Sequence, residues 1–214
     1  MEVEAELGKI TSDIVVDREQ KLIHKRVGQL PDLIRSLNQV PEEVDYQRLV
    51  GGSIALLKDP RWGLREMTPD CSLRIEKDER MVSGFACWVD MELIEGRLIS
   101  QMTDVPEEVS AQLAQFLKGC VQMAKTTREE QGRVIFPDLL GGVERPAERF
   151  ENFLIEGGTG KLFFIDVYPL ADFSIHGLGD VFKKRRYKKA ITKASRAVGQ
   201  PEVVVAVEEL KTVF

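Results

Sequence analysis

The chain has 214 residues, 43% of them hydrophobic and 30% charged, with a formal net charge of -5. This balance excludes a disordered polymer and a globally basic nucleic-acid coat, and the length suffices for one large domain or two small lobes, each with its own core. Cys71, Cys87 and Cys120 are odd in number and form no CxxC pair, so neither a disulfide framework nor a zinc cluster is expected, and a reducing, cytoplasmic location follows. No stretch reaches the roughly eighteen continuous apolar residues of a membrane span, and the acidic start MEVEAELGKI lacks the apolar core of a signal peptide.

In chain order, Asp13–Val27 offers two β-rich runs, Ile14–Val16 and Leu22–Val27, around the polar turn Asp17–Gln20, the pattern of an antiparallel hairpin. Pro31–Leu37 has helical apolar spacing. Pro41-Glu42-Glu43 opens a further helix, with proline in the first turn and carboxylates at the positive end of the dipole. Leu49–Leu57 extends it through Gly51-Gly52. Ser72–Ile75 and Gly84–Ile94 read as strands. Glu107–Lys125 has the clearest helical pattern, with Val109, Leu113, Phe116, Leu117, Val121 and Met123 approximating one apolar face. Phe153–Ile155 and Leu162–Ile165 form a second hairpin around Gly157-Gly158-Thr159-Gly160, followed by a helix from Gly179 to Val198. The apolar run Glu202–Val207 fits a strand or a tail.

Chemistry concentrates at the ends of that second hairpin. Asn152 precedes its first strand and Asp166 follows its second. An amide carbonyl and a carboxylate are hard oxygen donors of the kind that hold Mg²⁺ while water and phosphate oxygens complete its shell. The stretch GGTGK lacks the full phosphate-loop pattern and runs into a strand, so it reads as a turn. A turn-rich loop, Pro137-Asp138-Leu139-Leu140-Gly141-Gly142, lies upstream. His24 and His176 show no metal-ligand spacing and read as structural or solvated, and Trp62 and Trp88 as packing residues.

This order of elements, with ENFLI and FFIDV bracketing the hairpin, resembles the protein-kinase-like phosphotransferases, including the branch acting on aminoglycosides and other small molecules. The resemblance runs from about Gly8 to Leu170. It implies an α+β, two-lobed protein-kinase-like fold, with a strand-rich half over 1–95 and a reduced, mainly helical half over 96–214. It also implies ATP and Mg²⁺ as cofactors, with Asn152 and Asp166 on the metal. Lys25 stands where the family's VAIK lysine reaches the nucleotide phosphates, and Glu43 or Glu42 on the next helix stands where a glutamate pairs with that lysine. Met91-Glu92-Leu93-Ile94-Glu95-Gly96 resembles the hinge, so backbone groups around Met91 and Leu93 would meet an adenine.

Departures from the family accompany the matches. Glu6–Ser12 holds a single glycine where a Gly-rich loop belongs, and Arg145-Pro146-Ala147 replaces the His-Arg-Asp that precedes the metal-binding asparagine. Asp166-Val167-Tyr168 stands in place of Asp-Phe-Gly. Asp138 is the replacement carboxylate for orienting an acceptor hydroxyl, with Gly141–Glu148 as an insertion between it and Asn152. The expected function is ATP- and Mg²⁺-dependent phosphoryl transfer to a hydroxyl of a small molecule or protein. One alternative is a pseudokinase that senses a nucleotide or serves as an interaction module. The other is an accessory protein that uses its basic helix: Lys183–Lys189 packs six cations into seven residues and would meet nucleic acid, a membrane or another anionic partner.

Overall fold

The computed structural model describes residues 14–27, 42–81, 83–175 and 178–214. Asp13, the glycine-poor stretch Glu6–Ser12, the helix expected at Pro31–Leu37, Pro41 and His176 lie outside the described residues. The protein is a mixed α+β chain whose contacts group it into two compact units. One comprises Met1–Ala55 with Pro69–Leu93, the other Leu56–Thr68 with Ile94–Phe214.

In the first unit, β1 (Ile14–Asp17) and β2 (Leu22–Val27) form the expected hairpin, with Asp17 accepting from the Gln20 amide at the turn. Strands β3 (Cys71–Lys77) and β4 (Phe85–Glu92) complete an antiparallel sheet of order β1-β2-β4-β3. Alternation decides which face is covered: Cys87, Val89 and Met91 on central β4 are buried, whereas Trp88 and Asp90 point to the other face. There Asp90 binds His24 Nδ1 at 2.7 Å and Arg74 Nε at 2.7 Å. His24 is therefore partnered across strands, a pairing its sequence position did not reveal. Burial pushes the Asp90 carboxyl up, but the hydrogen bonds from Arg74 and His24 outweigh it and hold the group below its ordinary value. Helix α1 (Glu43–Tyr46) passes through a π-helical turn, Gln47–Gly51, into α2 (Gly52–Lys58). That turn ends where Gly51-Gly52 interrupts the helical pattern.

In the second unit, β5 (Gly96–Leu98), β7 (Phe153–Glu156) and β8 (Leu162–Phe164) form one small sheet, and β6 (Arg133–Pro137) pairs with β9 (Leu170–Ser174) in another. Helix α3 (Glu107–Gln131) is buried along Val109, Leu113, Phe116, Leu117, Cys120, Val121 and Ala124, the spacing of one helical face. It continues for six residues beyond the expected Lys125. The segment Leu56–Thr68 groups with this unit by its contacts. Trp62 and Leu64 are buried, and the Trp62 carbonyl approaches α3 so closely that a Cβ built at Gly119 would lie 2.4 Å from it.

Two aromatic clusters organise this unit. Phe116, Phe150, Phe153 and Phe164 pack together beneath the β7-β8 hairpin. Phe136, Phe173, Phe214 and Tyr187 form the other, with Tyr187 supplied by α4 (Leu178–Val198). The run expected as a strand or tail at Glu202–Val207 is instead part of helix α5 (Pro201–Val213). Val203, Ala206, Val207, Leu210 and Val213 are buried at helical spacing, and covering that stripe outweighs the β preference of a valine run. Among the described residues no helix is long and apolar enough to cross a membrane.

Candidate functional site

The β7-β8 hairpin has the register Phe153↔Phe164, Leu154↔Phe163 and Ile155↔Leu162. Asn152 and Asp166 flank its open end, and the Ile165 amide donates to the Asn152 carbonyl at 2.9 Å. Antiparallel pairing therefore brings together two residues that are fourteen apart in sequence. Asn152 Nδ2 donates to the main-chain carbonyl of Asp138 at 2.6 Å and lies 3.4 Å from Asp166 Oδ2. A carbonyl only accepts, so the contact fixes the orientation of the amide. Asn152 Oδ1 faces away, on the side of Gly141.

Asp138 follows β6 and is nearly inaccessible, at 1% exposure. Its Oδ1 accepts from the Leu140 amide at 3.2 Å and from the Tyr187 hydroxyl at 3.1 Å. That hydroxyl in turn accepts from the Leu139 amide at 3.0 Å. Burial pushes the Asp138 carboxyl up to about 6; the Leu140 amide and Tyr187 hydroxyl oppose the rise, and the nearby Asp166 charge adds to it. Burial, then the Asp138 charge, drive the Tyr187 phenol well above its ordinary value, so it remains protonated and donates. After this pair the chain turns through Gly141 and Gly142, whose φ values of 73° and 148° lie in the region that favours glycine.

Tyr187 is the functional neighbour that the sequence reading missed. In the sequence it stands beside Lys183 and Arg186 in a basic run, but it is fully buried. A signal was present: Tyr187, Ala190, Ile191 and Ala194 recur at helical spacing, and all are buried. The cations around it are partly occupied within the protein. Lys183 Nζ pairs with Glu144 at 2.6 Å, Arg186 donates to the Glu144 carbonyl, and Lys193 pairs with Glu148. Lys188 lies 5.1 Å from the centre of the Phe214 ring. Helix α4 thus holds the Gly141–Glu148 segment that lies between Asp138 and Asn152.

The remaining candidates lie in the first unit. Lys25 is a β2 residue opposite Ile14 on β1 and Val89 on β4. Glu43 is exposed in the first turn of α1 and, with Glu42, Val44, Gln47 and Phe85, lines an open pocket of about 540 Å³. Met91 is buried on β4, opposite Ile23 and Cys71, and the Leu93 amide donates to the Lys21 carbonyl at 2.8 Å. The two hinge candidates thus already take part in main-chain pairing within this unit.

The donor set at the hairpin fits a hard cation in one respect and sets a limit in another. Asn152 Oδ1 and the Asp166 carboxylate are both oxygen donors, although the amide nitrogen is the atom that faces Asp166 and Oδ1 lies on the side of Gly141. Among the described residues, however, no cluster of three or more His, Cys, Asp or Glu side chains is placed to hold a metal. The protein would supply few ligands, with water and phosphate oxygens completing the shell, as is usual for Mg²⁺ carried with a nucleotide. No protein-family model matches the chain, and no curated protein matches it.

Proposed function

We propose that this chain is a reduced protein-kinase-like phosphotransferase that uses ATP and Mg²⁺. The observation that carries the reading is the junction at Asn152, whose amide joins the main chain of Asp138 to the carboxylate of Asp166. Three residues singled out for metal and acceptor chemistry thus meet in one place, although fourteen residues separate each neighbouring pair. Asp166 would hold Mg²⁺, with Asn152 Oδ1 joining it once the amide turns from its present orientation, and the ion would supply charge neutralisation at the nucleotide phosphates. Asn152 also fixes the backbone that carries Asp138. With a carboxyl titrating at about 6, Asp138 is ionised at neutral pH and accepts the proton of an acceptor hydroxyl. Lys25 would contact phosphates, with Glu43 as its partner and the Met91–Leu93 segment facing adenine, roles that rest on the family resemblance alone. The two-lobed arrangement belongs to the same proposal.

A second reading has its own support. The Asp138 carboxylate is 1% exposed and already accepts two internal hydrogen bonds, so it suits a loop-organising role in a protein that binds a nucleotide without transferring phosphate. Thermal melting with ATP, with and without Mg²⁺, tests what the two readings share. Wild type should be stabilised by ATP with Mg²⁺, and Asp166→Ala should lose the Mg²⁺-dependent part. Absence of any wild-type shift at millimolar ATP would remove both readings. If binding is seen, ADP release in the presence of candidate hydroxyl acceptors separates transfer from binding.

A further inference from the structure

The outer face of α4 has a composition that the site does not explain. Val181 is 54% exposed and Phe182 75% exposed, the latter the most exposed large apolar side chain among the described residues. Arg185, Lys189 and Arg196 are also exposed and follow along the same side of the helix, opposite the buried stripe of Tyr187, Ile191 and Ala194. Lys183, Arg186 and Lys193 are engaged by Glu144 and Glu148, but among the described residues Arg185, Lys189 and Arg196 pair with no acid. The face therefore joins an apolar end to a line of available cations, in a chain whose net charge is -5.

We infer that this face of α4 is a docking surface for an anionic phospholipid bilayer, with Phe182 and Val181 entering the headgroup boundary and Arg185, Lys189 and Arg196 resting at the phosphates. Charge complementarity requires an anionic partner, and the apolar pair selects among anionic partners. Phe182 could stack on a base, but Val181 beside it has no π face, and a phosphate backbone offers no apolar phase in which to bury it. A bilayer supplies both phases in one plane, and a straight helical stripe can meet that plane along its length. The surface is independent of the hairpin site and of the phosphotransferase reading.

Co-sedimentation of the full chain with vesicles of phosphatidylcholine alone, or with about 30% phosphatidylserine, provides the test. Binding is expected only to the anionic vesicles and should fall sharply near 1 M salt, where the screening length is about 3 Å. Arg185→Gln and Lys189→Gln should each weaken partitioning about fivefold. Phe182→Ser should weaken it roughly tenfold without lowering the melting temperature, since the side chain is already in water. Equal binding to neutral vesicles, no binding to either, or an unchanged affinity in Phe182→Ser overturns the inference. So does tighter binding to a single-stranded oligonucleotide than to anionic vesicles, or a Phe182-dependent dimer in sedimentation velocity.

Discussion

The amide nitrogen of Asn152 donates to the carbonyl oxygen of Asp138 at 2.6 Å, and the same nitrogen lies 3.4 Å from Asp166 Oδ2. One side chain therefore fixes the end of β6, the start of β7 and the second residue beyond β8 relative to one another. Substitution at Asn152 should be felt as a loss of order in the loop as well as a loss of any ligand atom.

Asn152→Ala leaves the Asp138 carbonyl without this donor and should cost about 1–3 kcal/mol in chemical denaturation. Asn152→Asp puts an acceptor against that carbonyl and a further negative charge beside Asp166 and Asp138. It should destabilise more at pH 8 than near pH 4, where the neighbouring acids keep much of the new carboxyl protonated. An equal loss at both pH values would show that charge is not the cause.

Asp138 sets a pH dependence whose sign follows from its raised pKa. The folded chain holds this proton up to about pH 6, whereas an unfolded carboxyl releases it near the ordinary 3.8. The associated stability is thus fully present below 3.8 and is lost as pH rises through about 6. At 1.36 kcal/mol per unit, the loss is at most about 3 kcal/mol. Asp138→Asn should flatten this part of the stability profile between roughly pH 4 and 6. A profile that keeps its full slope in the variant would assign the effect to another group.

Tyr187→Phe keeps the aromatic packing and removes a hydroxyl used by both Leu139 and Asp138. The expected cost is about 1–3 kcal/mol, accompanied by faster hydrogen exchange at the Leu139 amide. Tyr187→Ala also removes the ring from among Phe136, Phe173 and Phe214 and should cost about 3–5 kcal/mol. Matching losses in the two variants would mean that the ring contributes nothing.

Two helical glycines should respond to alanine in opposite directions. A Cβ at Gly52 meets nothing within 4 Å, and its φ of -61° is helical, so Gly52→Ala should stabilise by up to about 1 kcal/mol. At Gly119 the added carbon would fall 2.4 Å from the Trp62 carbonyl, a backbone atom that cannot swing aside. Gly119→Ala should destabilise by about 1–3 kcal/mol. A rise in melting temperature for Gly119→Ala would show that the Trp62 segment does not pack on α3 as described.

Local patterns alone carried the β1-β2 hairpin, the long helix beginning at Glu107, the β7-β8 hairpin and the helix ending at Val198, because alternation and helical periodicity are written in neighbouring residues. They also carried Asn152 and Asp166 as a pair, since a two-stranded hairpin fixes what stands at its ends. The valine-rich Glu202–Val207 was ambiguous because β propensity and helical burial compete there, and contact with the rest of the second unit decides between them. The assignment of Leu56–Thr68 to that unit depended on the close approach of Trp62 to Gly119. Tyr187 on Asp138 required the fold, because those residues are forty-nine apart and no local pattern records their meeting. Sequence determined the strongly periodic elements and the residue types at their ends; tertiary packing decided the ambiguous Glu202–Val207 run and which distant residues share a hydrogen bond, because burial and proximity are properties of elements brought together from distant parts of the chain.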